Sequence, residues 1–185
     1  MFVGRKKELD ALNNRYKSNR KEFGVLYGRR RIGKSSILNE FLKGKKGILF
    51  QAKQDNSYGN LKSFSYEVDH LLNLPDTFVF ASWQHAFKSI QEYAKNERFV
   101  LIIDEYPYIV SQDSSFSSVL QEFIDHTSDN MMVILSGSDI GFLQKEIQNH
   151  ASPLYKRRTF EMEIKKMNFM DAKEFVKMED VESQA

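Results

Sequence analysis

Gly28-Arg29-Arg30-Arg31-Ile32-Gly33-Lys34-Ser35 spells G-x-x-x-x-G-K-S, a spacing in which each residue type has a task around a polyphosphate. The glycines let the backbone take positive φ and turn its N–H groups toward an anion. A helix opening here adds the partial positive charge of its N-terminus. Lys34 reaches the β- and γ-phosphates, and the Ser35 hydroxyl ligates Mg²⁺. Gly28, Arg31, Ile32, Gly33, Lys34, Ser35 and Ser36 form the candidate phosphate-binding set. The run Arg29-Arg30-Arg31 reads mainly as a solvated rim, with counter-charge to phosphate or to a partner as the other reading.

Asp104-Glu105 stands 70 residues after Lys34, directly behind an apolar run. A carboxylate at the carboxyl end of a buried strand faces the crevice where open α/β sheets take ligands. Asp104 then holds Mg²⁺ through water, and Glu105 accepts a proton from, or orients, an attacking water. Two adjacent carboxylates favour hydrolysis over phosphoryl transfer to a metabolite, because the second has a water to activate. No Asp has Gly three positions later, and neither N-K-x-D nor T-K-x-D occurs, so ATP is expected rather than GTP.

These residues need elements to place them. Phe23 to Tyr27 is a short apolar run before the glycine loop, and Ile37, Leu38, Phe41 and Leu42 follow at helical spacing until Gly44. Ile48 to Phe50 reads as a second strand. Leu61, Phe64, Val68, Leu71 and Leu72 mark a helix ended by Pro75, and Trp83, Phe87, Ile90 and Ala94 mark another. Phe99 to Ile103 is apolar throughout, as a strand covered on both faces must be. Phe116, Val119, Leu120 and Phe123 give a further helix. Met131 to Leu135 and Thr159 to Ile164 give the last two strands, and Phe169, Ala172, Phe175 and Val176 a final helix. Strands alternating with helices predict right-handed crossovers and a parallel α/β sheet.

The 185 residues carry 27 Lys+Arg against 25 Asp+Glu, a net charge of +2 that gives no reason to expect tight nucleic-acid or membrane binding by the whole chain. Hydrophobic residues at 41% and charged residues at 28% argue against a disordered tail. Cysteine is absent, which removes disulfides and thiolate metal sites. No apolar run approaches the roughly 18 residues of a membrane span. The start, MFVGRKKELD, has no apolar core of a secretory signal, so a cytoplasmic location is expected. His70, His85, His126 and His150 lack metal-ligand spacing, and Ser136-Gly137-Ser138 lacks the G-x-S-x-G elbow of serine hydrolases. The aromatic residues, 13% of the chain, read as core.

Taken in order, F-V-G-R, Y-G-R-R-R-I-G-K-S, Ser82-Trp83, L-I-I-D-E-Y-P-Y, L-S-G-S and S-P-L-Y-K-R-R resemble the archaeal-type ATPases of the AAA+-related P-loop class, grouped with the signal-transduction (STAND) ATPases. The resemblance spans nearly the whole chain. It implies a three-layer αβα P-loop NTPase core with a five-stranded parallel sheet in the order 5-1-4-3-2. It also implies that Phe2, Val3, Gly4 and Arg5 lie near the adenine. Ser136 or Ser138 matches the polar sensor that orients water or γ-phosphate. Arg157 and Arg158 stand where AAA+ relatives carry an arginine finger, and Arg158 is the candidate. Family members usually continue into winged-helix and effector domains, which residues 1–185 are expected to lack.

The expectation is therefore a Mg²⁺-dependent ATPase core whose bound ATP or ADP sets the conformation of attached domains. A homo-oligomer, and a DNA or protein partner held through further domains, are compatible with it. The rival reading is a nucleotide-gated DNA- or protein-binding module with negligible turnover. A small-molecule kinase ranks third, for want of an acceptor-binding insertion and an Arg-rich lid.

Overall fold

The computed structural model describes residues 4–72 and 78–167. In chain order the elements are α1 (Lys6–Tyr16), β1 (Glu22–Tyr27), α2 (Lys34–Leu42), β2 (Gly47–Gln51), α3 (Ser57–Leu72) and α4 (Trp83–Tyr93). There follow β3 (Phe99–Asp104), α5 (Pro107–Gln112), α6 (Phe116–His126), β4 (Met131–Gly137), α7 (Ile140–Gln148) and β5 (Phe160–Glu163). The five strands form one sheet, all pairs parallel, in the order β2-β3-β4-β1-β5. This is the expected 5-1-4-3-2 order seen from its other edge. Phe2, Val3 and Pro75, and the helix expected around Phe169, Ala172, Phe175 and Val176, lie outside the described residues.

Alternation along the strands divides the core in two. Phe23, Val25, Phe99, Leu101, Ile103, Met131, Val133 and Leu135 point to one face, where helices α3 to α7 cover them. Leu26, Val100, Ile102, Met132 and Ile134 point to the other, beneath Leu12 of α1 and Ile37, Leu38 and Phe41 of α2. A layer of helices on each side makes the αβα sandwich. β3 lies between β2 and β4, and all six of its residues are buried, the arrangement its unbroken apolar run requires.

The aromatic residues concentrate under α3, α4 and α6. Trp83 meets Phe116 at 4.8 Å and Phe64 at 5.2 Å between ring centroids, and Phe87 stacks on Phe123 at 4.7 Å. Ser82 caps α4 by accepting from the His85 N–H, and the Trp83 indole N–H donates to Ser57 Oγ. The Ser82-Trp83 pair thus locks α4 to α3 rather than reaching the phosphate loop.

Three helices went unread in the sequence: α1, α5 and α7. α1 buries only Leu12 fully, so its apolar stripe is too thin to register as a period. α5 has six residues and starts at Pro107, a good first position but a short pattern. α7 did carry a signal: Asp139 accepts from the Phe142 N–H as its cap, and Leu143 and Ile147 are buried one turn apart.

Gly24 in β1 has a packing reason. A Cβ there would stand 2.0 Å from the ring of Phe160 on β5, the residue paired with it across the two strands. Gly24→Ala must displace that ring, and overpacking of this kind costs about 1–3 kcal/mol. The expected outcome is a melting temperature lower by about 3–10 °C in a circular-dichroism scan.

Candidate phosphate-binding and catalytic site

β1 delivers the chain to Gly28 at the carboxyl edge of the sheet, and α2 departs from the same edge. The two glycines between them act differently. Gly33, which caps α2, has φ of 91°, the left-handed turn expected of a glycine there. Gly28 is not left-handed; it is small because a Cβ would fall 2.4 Å from the Ile164 carbonyl oxygen. The second left-handed residue of the loop is instead Arg31, with φ of 61°.

The first helical hydrogen bond runs from the Ile37 N–H to the Gly33 carbonyl. The N–H groups of Lys34, Ser35 and Ser36 are thereby left to face a ligand. Gly33 to Ser36, with Arg30, Arg31 and Glu105, line an open polar cleft of about 390 Å³. Lys34 Nζ donates to the carbonyls of Gly28 at 2.8 Å and Arg29 at 3.1 Å, so the ammonium is tucked under the loop. Burial pushes the Lys34 ammonium below the usual lysine value; Glu105 and Asp104 oppose that shift and Arg30 adds to it.

The acidic pair sits opposite. β3 and β4 pair Ile103 with Leu135, which brings the next residues, Asp104 and Ser136, side by side. Asp104 is 1% exposed and accepts from three donors. Ser35 Oγ donates to Oδ2 at 2.5 Å, while Ser136 Oγ at 2.7 Å and the Glu105 N–H at 3.0 Å donate to Oδ1. The Ser35 hydroxyl and the Asp104 carboxylate are hard oxygen donors on one point, the donor set Mg²⁺ takes beside phosphate oxygens.

Glu105 has φ of 52°, uncommon for a residue with a Cβ. The turn is held by the Tyr106 N–H, which donates to the Ser136 carbonyl at 3.0 Å. Below it the buried Tyr106 hydroxyl meets Ser117 Oγ at 2.6 Å and Glu146 at 3.0 Å, tying β3 to α6 and α7. Glu105 Oε2 accepts from the Ser138 N–H at 3.2 Å and Oγ at 3.0 Å. Ser136 and Ser138 were interchangeable in the sequence; here each serves a different carboxylate.

Other residues expected at the site fall as follows. Arg5 is 8% exposed and donates to Glu8 at 2.9 Å and to the Ile32 carbonyl at 2.8 Å, which binds the segment from Gly4 to the rim of the loop. Arg157 and Arg158 lie just ahead of β5, at the edge of the sheet opposite the loop. Arg157 makes a two-pronged pair with Asp125 at 2.8 and 2.9 Å, which holds that carboxyl below its ordinary value. Arg158 is held by Glu161 at 2.7 Å and the Ile147 carbonyl. Arg30 is exposed like its two neighbours, as a solvated rim requires, and it also donates across the mouth of the cleft to Ser138 and Tyr108, the latter an unforeseen member of the site.

A family described as an ATPase domain predominantly from Archaea matches residues 2–184. The chain belongs to that family. The chain is 30% identical over 177 residues to the uncharacterized protein MJECL04 of Methanocaldococcus jannaschii, covering 95% of the chain and 38% of the relative. Among solved structures it is similar to the Walker-type ATPase PABY2304 of Pyrococcus abyssi, with a TM-score of 0.79, 21% identity, and coverage of 99% of this chain and 59% of that one. The ORC1 protein of Aeropyrum pernix, solved in complex with DNA, gives a TM-score of 0.72 at 13% identity, covering 98% of this chain and 50% of that one. At these identities the structures attest the fold, that of P-loop ATPases. The ATPase domain spans between 38% and 59% of the length of these three proteins. Among the described residues, no helix is long and apolar enough to cross a membrane.

Proposed function

We propose that this domain binds Mg-ATP and hydrolyses it to ADP and phosphate. The observation that carries the reading is the meeting of Ser35 Oγ with Asp104 Oδ2 at 2.5 Å, beside a cleft lined by Lys34 and Glu105. The polyphosphate lies over the N–H groups from Lys34 to Ser36, with the Lys34 ammonium against its β- and γ-oxygens. Ser35 and Asp104 would hold the metal, which when bound would offset the negative charge that develops on the phosphate oxygens. Glu105 Oε1 accepts no hydrogen bond from any described residue, so it is open to an attacking water. That water loses a proton to Glu105 as its oxygen joins the γ-phosphorus; the bond to the bridging oxygen breaks, and ADP leaves. The link from Arg5 to the Ile32 carbonyl supports a place for the adenine beside the N-terminal segment. Arg158, held at the far edge, is given no step within its own subunit.

The test is phosphate release. Mg-ATP is expected to yield ADP and phosphate at steady state, and excess chelator to stop it. Phosphate release that persists in chelator would refute the assignment of Ser35 and Asp104 to the metal. Binding of ATP with no turnover would favour a second reading, a nucleotide-gated module, which the exposed Arg29 and Arg31 also suit. In either case the bound nucleotide is proposed to set the arrangement of the further segments that the longer relatives possess.

A further inference from the structure

Glu105 is aimed by contacts from other segments. Its Oε2 receives both donors of Ser138, the backbone N–H and the hydroxyl. Having given its only hydrogen to Glu105, Ser138 Oγ can only accept from elsewhere, and Arg30 Nε points at it from 3.4 Å. The far end of the same guanidinium donates to the Tyr108 hydroxyl at 2.7 Å. Donation therefore runs one way, from Arg30 to Ser138 to Glu105. A cation at the head of such a chain polarises the hydroxyl and strengthens its bond to the carboxylate. The chain occupies Oε2 and leaves Oε1 to the cleft.

Resting on the ATPase reading, we infer that Arg30 is a positioning residue: through Ser138 it holds the Glu105 carboxylate with one oxygen anchored and the other turned to the attacking water. Arg30 comes from the phosphate loop, Ser138 from the end of β4 and Tyr108 from α5, so the arrangement ties the anion-binding loop to the base. The left-handed backbone of Glu105 makes this tie necessary. A side chain on a strained turn at the end of β3 has no helix or strand to orient it, and contacts from neighbouring segments must do so. Two anchor points on Arg30 also keep its own long side chain in one geometry. Lysine replaces it only in part, since a single ammonium does not span Ser138 and Tyr108 with fixed, planar donors.

The test compares wild type with Arg30→Gln, Arg30→Lys, Ser138→Ala and the Arg30→Gln/Ser138→Ala double variant. ATP affinity and steady-state phosphate release are measured on each. Arg30→Gln is expected to lower kcat about tenfold, within the loss that a misplacement near 1 Å produces, a larger change than any in the Kd for ATP that follows from removing a cation of the cleft lining. Arg30→Lys should recover only part of the rate. The double variant should be no slower than Ser138→Ala, and in a Glu105→Gln background Arg30→Gln should cost nothing more. The Glu105 carboxyl carbon resonance in nucleotide-free protein should move in Arg30→Gln in the same direction as in Ser138→Ala. Multiplying losses in the double variant, an unmoved resonance, or weaker ATP binding at an unchanged kcat would each overturn the inference and leave the ATPase reading standing. A wild type without turnover would overturn both.

Discussion

Glu105→Gln is expected to bind Mg-ATP as wild type does while releasing phosphate some 10²–10⁴-fold more slowly, the usual contribution of a positioned general base. The amide keeps the length and shape of the side chain. Its oxygen still accepts from the Ser138 N–H and hydroxyl, so the turn at the end of β3 survives. Only the capacity to take a proton from water is lost. Asp104, the proposed metal ligand, is untouched, and its three donors remain in place. Separate measurement of nucleotide affinity and single-turnover hydrolysis distinguishes this outcome from loss of binding. Turnover at the wild-type rate would remove Glu105 from the mechanism.

Lys34→Ala is expected to have the opposite profile, with binding lost before chemistry can occur. Nucleotide at a hundred times its Kd stabilises a fold by about 2.7 kcal/mol, which for a chain this long raises the melting temperature by roughly 5–10 °C. Wild type should show this rise with Mg-ATP and Mg-ADP and not with Mg-GTP, and Lys34→Ala should show little of it. The electrostatics give the direction. Burial holds the Lys34 ammonium below its ordinary value of 10.5, so without nucleotide the charged form costs the fold stability. That cost fades as pH rises through the lowered value. A polyphosphate in the cleft supplies the missing counter-charge and reverses the effect. Lys34→Met, which keeps the buried stem, separates loss of charge from loss of packing. An undiminished thermal shift in both variants would show that nucleotide stabilises the fold without this lysine.

How much of this was open to reading in the chain itself differs from part to part. The glycine-lysine-serine spacing carries its own chemistry, because eight consecutive residues contain the turn, the cation, the proposed metal ligand and the first turn of the helix. The strands were equally plain: Phe99 to Ile103 has no polar residue with which to face water, so it must lie inside a sheet with both faces covered. Asp104 and Glu105 inherit their place from that strand by adjacency.

The helices that contribute least to the core, α1 and α5, escaped notice for the same reason in reverse, since a short or weakly apolar segment has no period to detect. Contacts between distant residues were beyond reach for a different reason. Ser136 and Ser138 are two positions apart and alike in chemistry, and nothing local assigns one to Asp104 and the other to Glu105. The register of β3 against β4 makes that assignment, and a slip of one residue would turn the side chains to the opposite face. Arg30 likewise resembled its two neighbours until α5 and the end of β4 were brought against it. Local sequence determined the groups proposed to bind phosphate and metal, because the spacing of the loop along one segment is its geometry. Only the packed sheet decided which hydroxyl and which cation hold the two carboxylates, because those partners come from separate strands and loops whose approach the whole core must set.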